Sequence, residues 1–162
     1  MSSIIGNAPA GANGYFVRGY ELLDTDYIVS DSVDNTSPVA IGTFACKSNN
    51  PNECVGQKGD GEVIGFIPFQ GYKYNLCKNG NSFEAGDKVQ IDISNLAIYG
   101  MNIQDGVTCN KDDFIGITKS DGSLVFNANK AQVSSDTVKF TGYKVIQSNS
   151  GKEPGLIYIK RA

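Results

Sequence analysis

Few residues in this chain are of a type that could do chemistry. Among 162 residues there are seventeen Asp and Glu, fourteen Lys and Arg, four Cys and no His. Without His, neither a Ser-His-Asp triad nor a Cys-His pair can be built. General acid–base work would fall to Asp, Glu, Lys or Tyr, and the acids sit mostly in turns, where carboxylates are ordinarily solvated. The stretch Gly56-Gln-Lys-Gly59-Asp-Gly61 is glycine-rich like a phosphate loop. It lacks the Gly-Lys-Ser/Thr ending and leads into a strand-like run, not a helix, so it reads as a turn. Asn110-Lys-Asp112-Asp113 lacks the alternate acid spacing and closing Glu of a calcium loop. Cys46, Cys54, Cys77 and Cys109 are too widely spaced for a zinc site. They read as free, mostly buried thiols, although their even number also permits two disulfides. The nearest mixture of bases and aromatics is Tyr143-Lys144 with Tyr158, Lys160 and Arg161, too sparse for single-stranded nucleic acid. The expectation is a protein that is not an enzyme and uses no cofactor or metal.

The elements that must position these residues are strands. Hydrophobic residues make up 40% of the chain, and nineteen glycines, many beside Asn, Asp or Ser, punctuate it. Short β-branched and aromatic runs occur at residues 15–20, 26–29, 39–46, 62–69, 88–93, 96–101, 114–118, 123–127, 137–147 and 156–160. No segment carries an apolar stripe at helical spacing. Residues 88–94 alternate, with Val89, Ile91 and Ile93 on one face and Gln90, Asp92 and Ser94 on a wet face. Asp121-Gly122 predicts a type I′ hairpin turn. In residues 137–147 the apolar phase slips at Gly142, which predicts a β-bulge. Residues 83–126 read as one unit written twice: acid-bearing turn, strand, tight turn, strand. The fold class that follows is all-β: a single-domain β-barrel or jelly-roll-like sandwich of about ten short strands over residues 15–162, preceded by an extended arm, 1–14.

Binding then falls to the arm and the loops. Ile4 and Ile5 on a small-residue tail, followed by Pro9, would be exposed apolar surface unless a neighbour covered them. The long loops are 47–61 and 70–82. The second carries Tyr72 and Tyr74 just after Phe69, and aromatics on polar loops suit partner contacts. Net charge is −3 and the isoelectric point is near 4.9, so no nucleic-acid partner is expected. No stretch is long and apolar enough to span a membrane. The opening Met1-Ser-Ser-Ile-Ile-Gly lacks the basic and apolar regions of a signal peptide.

Taken in order, several short motifs resemble a family. They are Ala8-Pro9-Ala10, Gly42-Thr-Phe-Ala-Cys46, Val63-Ile64-Gly65-Phe66-Ile67, Phe83-Glu-Ala-Gly86-Asp87-Lys-Val89, the second unit from Val107 to Phe126, and Thr141-Gly142-Tyr143 before the last strand. This order resembles the structural cement, or head decoration, proteins of tailed bacteriophages. The chain departs from their pattern where the second unit has Asn110-Lys-Asp112 in place of Gly-Asp. The resemblance implies a protein made in the host cytoplasm and carried on the capsid exterior. It would clamp major capsid protein subunits and would itself be a homo-dimer or homo-trimer. A carbohydrate- or receptor-binding β-module of a phage tail or spike is the alternative, with Phe69, Tyr72 and Tyr74 as its aromatic platform.

Overall fold

The structure, a computed structural model, describes residues 13–69, 82–103, 107–148 and 155–162. Those residues form a β-sandwich. The strands are β1 (Phe16–Arg18), β2 (Leu23–Val29), β3 (Phe44–Lys47), β4 (Glu53–Val55), β5 (Val63–Phe66), β6 (Lys88–Asp92), β7 (Ile98–Ile103), β8 (Phe114–Thr118), β9 (Leu124–Asn127), β10 (Val138–Gln147) and β11 (Gly155–Arg161). One sheet has six strands in the order β1-β7-β11-β10-β8-β9. The other has five, in the order β5-β3-β4-β2-β6. All ladders are antiparallel except β2–β4, where Ile28 and Val29 run parallel to Glu53 and Cys54. The expected all-β class holds, and of the two architectures foreseen the sandwich is the one observed.

The five-stranded sheet does not close into a barrel, although its edges approach. A Cβ on Gly65 of β5 would lie 2.1 Å from the Asp92 carbonyl oxygen of β6, so only glycine lets the two strands come this close. No ladder joins them. Arg161, from the end of β11 in the other sheet, spans the gap by donating to the Asp92 and Ile64 carbonyls at 2.7 and 3.4 Å.

There are two cores. The first lies between the sheets. Tyr99, Met101, Ile115, Ile117, Tyr143, Val145, Ile157 and Ile159 pack from one side, and Phe44 and Phe66 from the other. Rings of Phe44, Phe66, Tyr99 and Tyr143 meet at centroid distances of 5.2–6.3 Å in tilted or edge contacts. The second core covers the opposite face of the five-stranded sheet. Val29, Ala45, Cys54, Val89 and Ile91 are roofed there by Val39, Ile41, Ile67 and Phe83 from connecting segments. Fully burying each such side chain is worth about 1.5–3 kcal/mol, so both faces of this sheet contribute to stability.

Several local expectations are corrected. Strand β4 lies inside what reads as the 47–61 loop, because three residues are too few to show alternation. The run 39–46 forms strand only from Phe44, since Val39 and Ile41 serve as roof. Ile93 is exposed while Asp92 and Ser94 are buried, so β6 has no wet face at its end. Strands β8 and β9 do form a hairpin, but Gly122 alone, not Asp121, takes positive φ, within a five-residue connection. The unit written twice is not a structural repeat: β8 and β9 pair with each other, whereas β6 and β7 belong to different sheets. The bulge at Gly142 is present, with φ of +82° and a register shift between Phe140 and Lys144.

Candidate partner interface

Two connections cross between the sheets side by side at one end of the sandwich. Residues 19–22 carry the chain from β1 in the six-stranded sheet to β2 in the other. Residues 93–97 carry it back from β6 to β7. The Ile93 amide donates to the Leu22 carbonyl at 3.0 Å. A Cβ on Gly19 would lie 1.9 Å from the Leu96 carbonyl oxygen, so the turns are in backbone contact. Their apolar side chains face outward: Tyr20 is 71% exposed, Leu96 60% and Leu22 53%, with Phe16 and Ile93 also exposed. Single exposed apolar residues are ordinary, but five on two abutting turns and the adjoining strand form a patch of the kind that marks interaction sites.

Gly19 is the residue that lets the turns meet, with φ of +104° and no space for a side chain. Gly19→Ala is expected to cost about 2 kcal/mol or more, combining left-handed strain with a backbone clash. Urea unfolding would measure it, and a cost below about 0.5 kcal/mol would show that the turns separate freely.

Beneath the patch a polar network fixes both turns. Asp92 Oδ1 accepts from the Ser94 hydroxyl at 2.6 Å and the Ser94 amide at 3.1 Å. Asp92 Oδ2 accepts from the Tyr143 hydroxyl, whose oxygen in turn accepts from the Phe66 amide at 3.1 Å and from Arg161 Nη2 at 3.1 Å. Arg161 Nε donates to the Ser94 carbonyl at 3.2 Å, and the guanidinium lies 4.8 Å from the Tyr143 ring centroid. Strands β5, β6, β10 and β11 are thereby joined through three side chains. Burial, with the charge of Asp92 second, pushes the Tyr143 hydroxyl well above the usual phenol range. The phenol therefore stays a donor at every physiological pH.

The Tyr99 hydroxyl reaches Glu21 Oε2 at 2.9 Å and Asp92 Oδ1 at 3.2 Å. Burial of the Glu21 carboxyl raises its pKa above the usual glutamate value, the Tyr99 hydrogen bond opposes this, and the nearby Asp92 charge adds to it. A raised folded-state pKa means the unfolded chain gives up the proton first. The stabilisation is thus complete below the ordinary glutamate pKa of about 4.3 and is lost as pH rises through the folded value. Thermal midpoints of wild type and Glu21→Gln, compared from about pH 4 upward, should diverge in that direction, with the variant lacking the fall. Equal slopes in the two proteins would contradict the assignment.

Of the residues expected to contact a partner, Ile4, Ile5, Pro9, Tyr72 and Tyr74 lie outside the described residues. Phe69 is half-buried, packs against the second core and donates its amide to the Gly14 carbonyl at 2.9 Å. Cys46, Cys54 and Cys109 are free and buried, and Cys77 lies outside the described residues. Burial raises all three thiols, Cys54 to about 12, so they are inert as nucleophiles. Among the described residues no group of three or more His, Cys, Asp or Glu is placed to hold a metal ion. The exposed cluster of Phe16, Tyr20, Leu22, Ile93 and Leu96 does not emerge from sequence periodicity, which places Tyr20 and Ile93 within strands. The usable signal was Asp92: a carboxylate destined for burial inverts the phase of the residues beside it. No protein-family model matches this chain, and no curated protein matches it.

Proposed function

We propose that this chain is a non-enzymatic structural protein of a phage virion. It binds the outer surface of an icosahedral capsid and stabilises contacts between major capsid subunits. The observation that carries the reading is the apolar patch on the turns 19–22 and 93–97, held rigid from below, on a sandwich of the class that the motif order implies. A pre-formed apolar end loses little conformational freedom on docking. Ile4, Ile5 and Pro9 of the arm, with Tyr72 and Tyr74, supply further contacts. Many copies on one shell make modest single contacts sufficient, and symmetric junctions between capsid subunits suit a homo-dimer or homo-trimer. The test is co-sedimentation of the purified protein with expanded empty capsids. Saturable binding, reduced by deletion of residues 1–13, is expected, and its absence at micromolar protein would sink the proposal.

A second reading, a glycan- or receptor-binding module of a tail or spike, is favoured by one observation. Tyr20 and, on the adjoining strand β1, Phe16 both leave aromatic rings exposed. Hits on a glycan array that vanish with Tyr20→Ala, in a protein that does not bind capsids, would select it.

A further inference from the structure

The acidic chain carries a cationic row across the six-stranded sheet. Register places Arg18 opposite Ile98, Ile98 opposite Lys160, Lys160 opposite Lys144, Lys144 opposite Phe114, and Phe114 opposite Asn127. Directly opposed residues of an antiparallel pair share a face, so three cations and no acid stand in one line that every strand of the sheet supplies. The neighbours Tyr143, Val145, Ile159 and Arg161 alternate with this row and point into the sandwich. The basic–aromatic mixture of the sequence is therefore sorted by the pleat. Tyr143 and Arg161 serve the interior, and Lys144 and Lys160 face out.

Lys144 and Lys160 are like charges directly opposite one another, an arrangement that is destabilising by itself. Among the described residues no carboxylate is ion-paired with either lysine. The ion pairs between described residues are Lys47–Glu62, Lys58–Asp34 and Lys119–Asp60, none involving Arg18, Lys144 or Lys160. Lys144 is held instead over the Phe114 ring, 5.0 Å from its centroid. Arg18 ends β1, two residues before Tyr20, so the row adjoins the apolar patch.

We propose that this row is the charged part of a binding face for an acidic protein surface, whose carboxylates fall between Arg18, Lys160 and Lys144. A net charge of −3 and an apolar patch beside only three cations favour a protein over a nucleic acid, whose backbone rewards longer basic tracks. The inference deepens the capsid reading and rests on it only for the partner's identity.

The first test uses the isolated protein. Backbone amide resonances are followed by NMR while poly-L-glutamate is added at low salt. Shifts at Arg18, Ile98, Lys144 and Lys160 are expected, abolished by Lys144→Glu/Lys160→Glu and suppressed as added salt screens the charges. No shifts, shifts confined elsewhere, or shifts elicited by a DNA duplex but not by poly-L-glutamate would overturn the proposal. Folding is controlled by Lys160→Glu alone. It creates an opposite-charge pair with Lys144 and is expected to hold or raise the thermal midpoint while weakening the shifts. In capsid co-sedimentation the double reversal should lose about tenfold or more in affinity. Wild-type-like binding by that variant would remove this face while leaving the capsid reading intact.

Discussion

Replacing Asp92 by Ala is expected to lower the unfolding free energy by about 3–5 kcal/mol, the largest single-residue effect outside the aromatic core. The carboxylate is buried and accepts from Tyr143, Tyr99 and both donors of Ser94. Its removal strands these donors away from water, and each buried, unsatisfied donor costs about 1–3 kcal/mol. It also removes the group on which the turn 93–97 is wound and through which Tyr143 ties β10 to β6. Asp92→Asn keeps the volume and one acceptor oxygen and is expected to cost less than Asp92→Ala. Chemical denaturation of the three proteins measures both differences. A cost below about 1 kcal/mol for Asp92→Ala would mean that the network is not what holds this end of the sandwich.

The second large effect concerns binding and leaves the fold nearly untouched. Tyr20→Ser, Leu22→Ser and Leu96→Ser together are expected to abolish measurable capsid binding. Stability should change by no more than about 0.5 kcal/mol per site, since all three side chains stand in solvent. Apolar anchors at the centre of an interface commonly cost 2 kcal/mol or more each when truncated, so losing three exceeds what a weak, multivalent contact can absorb. Sedimentation with empty capsids provides the readout. Undiminished binding by a folded triple variant would assign the contact elsewhere, first to the arm and the loop bearing Tyr72 and Tyr74.

The all-β class was legible because β-branched and aromatic runs bounded by Gly, Asn and Asp admit few other structures. Gly142 announced its bulge through a slip of apolar phase that no regular strand allows. The partition of strands between two sheets was not legible. Strands β6 and β7 look like a hairpin in sequence, with Ser94-Asn95 as its tight turn, yet they part to opposite layers. The reason is tertiary: Asp92 finds Ser94, Tyr99 and Tyr143, residues up to 51 positions away, and no local pattern encodes such partners. The same long-range capture hides the exposed patch, because burying Asp92 turns Ile93 outward. Ile93 and Leu96, two residues of that patch, fall inside the stretch 83–126 that reads as one unit written twice. The cationic row was present in sequence as Lys144 and Lys160, but only the β10–β11 register sets them opposite each other.

The central claim is that the apolar end of this sandwich docks on a capsid exterior. Electron cryomicroscopy of expanded empty capsids incubated with the purified protein tests it most directly. The account predicts ordered density at junctions between capsid subunits, oriented with the turns 19–22 and 93–97 against the shell. Bare shells, or density with those turns facing solvent, would contradict it.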